Sequence, residues 1–263
     1  MAGSRMYTAY HTLKLELSQQ IARVQFLEPR QASPELLQEL DRLFQEFELA
    51  SDVRCIILSA EGPYFMGGLS PASLQKLDPA GAQALLEYIQ QVLAQIEACS
   101  KPVIAAVNGQ AAGFGMELAL ACHVLLAAES ARFSLPELGM GFLPLGGAIP
   151  RLARQIGNKR ALEIVLGGYP LTAPDAYEWG LVNHVFGEDE LAEKAQDMAQ
   201  LFKANAPLAV RQALKSALGG QDLPLPQALM LDLHANAFCW STADLQEGIQ
   251  AALEQRPPIF RAR

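Results

Sequence analysis

Pro102-Val-Ile-Ala-Ala-Val-Asn-Gly-Gln-Ala-Ala-Gly-Phe-Gly-Met-Glu117 is the stretch on which the reading of this chain turns. Its first half is an apolar run of the kind that forms a strand buried on both faces. It runs straight into a turn with glycines at 109, 113 and 115, after which the residues read as helix, with Glu117 just past the last glycine. A glycine-rich turn feeding a helix points free N–H groups outward, and such groups stabilise an oxyanion. Further on, Ala131-Arg-Phe-Ser-Leu-Pro-Glu137-Leu-Gly-Met-Gly carries a second acid behind a proline that stiffens the residue before it. Two carboxyls at one site can divide acid and base roles when their surroundings hold them in different protonation states. The pairing points to chemistry on a carbonyl compound.

Outward from that stretch, similar units repeat. Thr12–Ser18 and Ile21–Leu27 alternate apolar and polar residues and read as a strand pair. Ser33-Pro34-Glu35 reads as a helix start before Leu36, Leu37, Leu40, Leu43, Phe44 and Phe47. Val53–Ser59 and His123–Ala128 read as short buried strands, and Ala80–Ala98 as an amphipathic helix. Strand, loop and helix repeated in this way describe an α/β fold with its ligands at the strand C-terminal ends. From about Leu191 the pattern turns helical, which places a soft boundary near residue 190, between a core over 1–190 and a helical region over 191–263.

The 263 residues are 51% apolar and 18% charged, ample material for a globular core. A formal charge of −8 argues against nucleic acid or an anionic membrane as the main partner, although a local basic patch can still receive an anionic ligand. The cysteines at 55, 99, 122 and 239 have no CxxC spacing, and three fall in apolar stretches, so reduced thiols in a cytoplasmic protein are expected. No apolar signal-peptide core follows the first residues, and the longest greasy stretch, Leu118–Ala128, is too short to span a bilayer. Gly113 and Gly115 lack the third glycine of a dinucleotide fingerprint, and Ser70 and Ser134 sit in no GxSxG elbow. The histidines at 11, 123, 184 and 234 form no metal-binding pattern, so no metal is expected, and His123 reads as a satisfied core residue. Taken singly, Glu117 also reads as an acid favoured at a helix N-terminus, and Glu137 as a surface-loop residue.

Four segments, in order, resemble the crotonase or enoyl-CoA hydratase/isomerase superfamily. Gly62-Pro-Tyr-Phe-Met-Gly-Gly-Leu-Ser70 is similar to the family's FxAGxD loop, and Asn108–Glu117 to its NGxAxGGGxE segment. Arg132-Phe-Ser-Leu-Pro-Glu-Leu-Gly-Met-Gly-Phe-Leu-Pro-Leu-Gly-Gly147 is similar to RFxxPExxxGxxPxxGG, and Leu166 through Val182 to LxGxxxxAxxAxxxGLV. The likeness runs from about residue 10 to the C-terminus. It implies a crotonase-like spiral of β-β-α units followed by a helical trimerisation region, assembled as a homotrimer or a dimer of trimers.

The resemblance also implies an acyl-CoA substrate, with coenzyme A part of that substrate and no separate cofactor. Leu69 and Phe114 would supply the two oxyanion N–H groups, and Glu117 and Glu137 would add water across a 2,3-double bond. Met66, Gly68, Gly113, Met116, Met140 and Phe142 would border the substrate, with Leu143 beside them. Phe260 and Arg261 would touch CoA across a subunit boundary, and His234 would lie on the surface or near the acyl pocket. Other enolate-forming reactions of the family (isomerisation, decarboxylation, C–C hydrolysis) and non-catalytic acyl-CoA binding remain alternatives. Three departures stand out: Ser70 where the family often has aspartate, Phe114 where it has its central glycine, and a shortened loop around Arg30.

Overall fold

The computed structural model describes residues 10–263. Strands β1 (Leu13–Ser18) and β2 (Ile21–Phe26) form the expected antiparallel pair. Gln19 and Gln20 turn it with φ of 50° and 65°; two successive positive φ values give the backbone twist that a two-residue hairpin needs. The short β3 (Gln31–Ala32) leads into α1 (Pro34–Leu49), where the Ser33 hydroxyl accepts from Leu36 N–H at 3.1 Å and Pro34 opens the first turn. The next unit is β4 (Cys55–Ser59), β5 (Tyr64–Leu69), the one-turn α2 (Pro71–Leu74) and α3 (Pro79–Glu97). Another is β6 (Val103–Val107), β7 (Gln110–Ala112) and α4 (Phe114–Leu120). Then come β8 (Val124–Ala128), β9 (Arg132–Ser134) and a short 3₁₀ helix, Pro136–Met140.

The pairs β4–β5, β6–β7 and β8–β9 each give their first strand to one sheet and their second to another, and the opening hairpin β1–β2 joins the first sheet while β3 joins the second. The remaining core elements are α5 (Ala148–Ile156), α6 (Asn158–Gly167), β10 (Leu171–Thr172), α7 (Ala173–Glu178) and β11 (His184–Phe186). The larger sheet has the order β1-β2-β4-β6-β8-β11 and the smaller β10-β9-β7-β5-β3. All neighbours are parallel except the pairs β1–β2 and β9–β10. The chain therefore winds as the spiral of β-β-α units that the sequence led us to expect.

The central strands β4, β6 and β8 of the larger sheet are buried on both faces, which is why they are apolar almost throughout, whereas β1 at the edge alternates. Alternation sends Ile56, Leu58, Val103 and Ala105 into the main core with α1 and α3, and Cys55, Ile57, Ile104 and Ala106 to the opposite face. There they meet Leu191, Ala195 and Ala199 of α8 (Leu191–Lys203), which covers that face. Three more helices follow: α9 (Pro207–Gly220), α10 (Leu225–Trp240) and α11 (Ala243–Leu253). α9 and α10 pack on each other, and Leu229, Leu233, Phe238 and Trp240 of α10 remain exposed. No described helix is long and apolar enough to cross a membrane.

Candidate active site

The site forms where the α4 turn, the end of β5 and the 3₁₀ helix meet. Gly113 has φ of +55°, and a Cβ on it would lie 2.5 Å from Glu137 Oε1 and 3.2 Å from Gly68 Cα. Only glycine lets these three segments close together. At Gly115 a Cβ would fall 2.0 Å from the Met66 carbonyl oxygen, so β5 also lies directly against α4. Gly113 N–H donates to Ser134 O at 2.9 Å, tying the turn to β9. Phe114 N–H comes next, in the first helical turn, where no acceptor exists within its own helix. The end of β5 lies beside it: a Cβ on Gly68 would be 3.8 Å from Phe114 N.

Two of the three departures find a physical account here. The left-handed residue is Gly113, not Phe114; Phe114 opens α4 and its ring, 1% exposed, is part of the main core. A side chain at 114 therefore costs the loop no backbone strain. Ser70 caps α2, its hydroxyl accepting from Ser73 N–H at 3.2 Å, a task open equally to serine and aspartate. In the shortened loop, the Arg30 guanidinium bonds the Glu28 carboxylate and the Glu61 carbonyl.

The two carboxyls are held differently. Glu117 is fully buried, and its Oε1 accepts from Gly146 N–H at 2.6 Å and Ala148 N–H at 3.2 Å. Its Oε2 is buried with no hydrogen-bond partner among the described residues. Burial pushes this carboxyl up to about 7, the charge of Glu137 adds to the rise, and the backbone donors oppose it. Glu137, 4% exposed, lies in the first turn of the 3₁₀ helix, and its Oε2 is likewise buried and unpartnered. Burial raises its pKa as well.

Glu137 borders a cavity of about 190 Å³ together with Gly68, Leu69, Gly113, Met140 and Phe142. That cavity shares Leu69, Pro71, Met140, Phe142 and Leu145 with an apolar groove of about 760 Å³ beside α2 and the start of α3. A cavity of about 810 Å³ opens elsewhere, among Tyr64, Asn108, Arg132 and Glu188, and neither carboxyl borders it. We place the site at the smaller cavity because the unpartnered acid and the close-approach glycines are there. Behind Glu117, Arg151 donates to the Gly146 carbonyl at 2.5 Å and pairs with Glu97 of α3 at 2.9 Å. The loop that grips Glu117 is thereby tied to α3.

The structure thus brings together Leu69, Gly68, Gly113, Phe114, Glu137, Met140 and Phe142, with Glu117 one helical turn beyond Gly113. Met66 and Met116, expected beside the substrate, are buried in the main core and line neither of the two connected cavities. Leu143 is 61% exposed and lines neither. Within one chain, Phe260 and Arg261 lie away from the carboxyls. Arg54, just before β4, donates to the Phe260 carbonyl at 2.5 Å, and Asp244 accepts from Arg261 N–H at 2.7 Å. His123 is satisfied, its Nδ1 accepting from Val103 N–H and its Nε2 3.0 Å from the Glu97 carbonyl, while His234 is exposed on α10.

Sequence reasoning missed the anchors Gly146, Ala148 and Arg151, and the groove residues Leu74, Leu77, Leu85 and Leu86. The paired glycines at 146 and 147 were the available signal for the anchors. For the groove there was none beyond the apolar face of a helix.

Residues 16–263 match the family model described as enoyl-CoA hydratase/isomerase. The chain is 35% identical over 227 residues to the 2,3-dehydroadipyl-CoA hydratase of Escherichia coli, covering 85% of this chain and 88% of that one. It is 35% identical over 209 residues to the crotonyl-CoA hydratase of Syntrophomonas wolfei, covering 79% and 80%. The crystal structure of an enoyl-CoA hydratase from Bacillus anthracis superposes with a TM-score of 0.92 at 30% identity, over 96% of this chain and all of that one. Motif order, the wound β-β-α spiral and these likenesses agree, and the chain belongs to the enoyl-CoA hydratase/isomerase family.

Proposed function

We propose that this chain is an enoyl-CoA hydratase, adding water across the 2,3-double bond of an acyl-CoA thioester. The observation that carries the reading is the pair of buried carboxyls, each with one unpartnered oxygen, of which Glu137 borders a cavity walled by close-approach backbone. The thioester oxygen lies between the N–H groups of Leu69 and Phe114, which stabilise the charge that develops as an enolate forms. One such donor is worth about 3–4 kcal/mol in enzymes that use it. Glu117, fixed through Oε1, uses Oε2 to hold and activate the attacking water. Glu137 delivers the proton to the α-carbon.

Burial raises both carboxyls, so the division rests on geometry: Glu117 is fixed through one oxygen and Glu137 faces the cavity. Glu117, at about 7, is ionised often enough near neutrality to take a proton from water. Glu137, raised by burial, keeps its proton to higher pH than an exposed carboxyl does. Isomerisation is the second reading, favoured by the joint hydratase/isomerase description of the family model. The exposed apolar residues of α10 support a homotrimer or a dimer of trimers, and the free, widely spaced cysteines support a cytoplasmic protein.

The test is crotonyl-CoA hydration, read as loss of the conjugated enoyl absorbance. Wild-type protein abolishes the absorbance with uptake of water, and Glu137→Gln lowers kcat on the order of 10³-fold. A double bond that migrates without water uptake contradicts hydration, and an unimpaired Glu137→Gln variant removes that residue from the chemistry.

A further inference from the structure

The groove beside the cavity has a chemical character of its own. Its walls come from Leu74, Leu77, Leu85, Leu86, Met140 and Phe142, on α2, α3, the segment between them and the stretch from Met140 to Phe142. Met140 is 51% exposed and Leu77 37% exposed, so apolar surface faces open space beside a polar reaction centre. Continuity with the cavity at Glu137 runs through the five shared wall residues, which fixes what reaches the groove: the part of the acyl group beyond the reacting carbons.

The polar groups here are few. Gln75 and Asp78 are the polar side chains on the wall, and Asp78 is committed to capping α3, accepting from Gly81 N–H at 2.7 Å. Among the described residues, no lysine, arginine or histidine borders the groove. A tail ending in a carboxylate would leave water for apolar walls, with only another carboxylate near and no counter-charge. A hydrocarbon tail would gain by covering the exposed leucines and Met140. Methionine, being flexible, accommodates tails of different length.

We propose that this groove makes the chain selective for thioesters with an uncharged, medium-length hydrocarbon tail, such as octenoyl-CoA, over both crotonyl-CoA and tails ending in a carboxylate. The selectivity rests on the proposed placement of the thioester at Leu69 and Phe114. The specificity-determining residues are Leu74, Leu77, Leu85 and Leu86, none of which touches the reacting atoms.

Saturated thioesters test the groove without turnover. The full-length protein is titrated calorimetrically with butyryl-, hexanoyl-, octanoyl- and adipyl-CoA. We expect octanoyl-CoA to bind at least about 10-fold tighter than butyryl-CoA, a fraction of what full burial of four methylenes would give. Adipyl-CoA should bind at least about 10-fold weaker than hexanoyl-CoA, which has the same chain length. In Leu86→Asp the octanoyl-to-butyryl ratio should fall towards unity. Because the ratio is taken on one preparation, any unfolded fraction cancels. Equal affinity for octanoyl- and butyryl-CoA, or adipyl-CoA binding as tightly as hexanoyl-CoA, overturns the proposal. Tight octanoyl binding with no hydration of octenoyl-CoA leaves the groove standing and overturns the proposed reaction instead.

Discussion

Glu117 and Glu137 are both buried acids, yet the molecule builds them by opposite means. Glu117 belongs to a helix inside the core and is clamped through one oxygen by two backbone N–H groups, from Gly146 in the loop before α5 and from Ala148 at its first residue. Glu137 stands in a single 3₁₀ turn behind a proline, against a glycine that leaves no room for a side chain, and faces a cavity. The first arrangement fixes a direction; the second turns an acid toward open space. In the function proposed above, this difference is what lets one acid hold water and the other move a proton.

The most damaging way to break the contrast is at Gly113. Gly113→Ala adds a Cβ 2.5 Å from Glu137 Oε1 at a φ of +55°, so Glu137 must shift or the turn must strain. We expect kcat for crotonyl-CoA hydration to fall at least 10²-fold, an order-of-magnitude figure for misplacing a catalytic group. Activity within about twofold of wild type, where general acid–base catalysis is usually worth far more, would mean that Glu137 is not held by this contact.

The next effect is on stability. The Glu117 carboxyl titrates near 7 in the folded chain against 4.5 as its ordinary value, so between these pH values the folded state binds the extra proton. Stability contributed by that proton is present below 4.5 and lost as pH rises through about 7. Glu117→Gln removes this pH-dependent cost. Relative to wild type, the variant should gain about 3 kcal/mol in unfolding free energy on going from acidic to alkaline buffer. Urea denaturation at two pH values checks it; a difference that does not depend on pH would show that Glu117 does not carry the shifted proton.

A smaller effect is expected at Arg151, which reaches Glu117 only through the Gly146 carbonyl. Arg151→Met should lower kcat about 10-fold, a typical loss for a displaced supporting group, and leave KM nearly unchanged. Arg151→Lys should recover part of the loss. A change in KM alone would assign Arg151 to binding rather than to the Glu117 anchor. Measured on one folded preparation, the kcat and KM readings separate these outcomes.

The parts of this design that were legible in the sequence are those with strong local chemistry. β6 announces itself as a buried apolar run, α1 by Ser33 and Pro34, and the α4 turn by its glycines. The smaller sheet was not legible as a sheet: its strands run from two to six residues, too short for alternation to show, and Tyr64–Leu69 reads as loop because of its two glycines. Met66 and Met116 illustrate the same limit, because position in sequence places them beside the site while their side chains point into the core. The grip on Glu117 comes from backbone N–H groups about thirty residues away, and any residue but proline can supply one. Groove residues such as Leu85 and Leu86 look like any helix packing face until the neighbouring elements are in place.

The division of labour between the two acids can be read most directly from α-proton exchange. Butyryl-CoA, which has no double bond to hydrate, is incubated in deuterium oxide with each variant, and deuterium at the α-carbon is followed by NMR. Glu117→Gln should retain exchange within about 10-fold of wild type, and Glu137→Gln should lose it by at least about 10²-fold. The reverse pattern, with exchange surviving in Glu137→Gln and vanishing in Glu117→Gln, would contradict the roles assigned here.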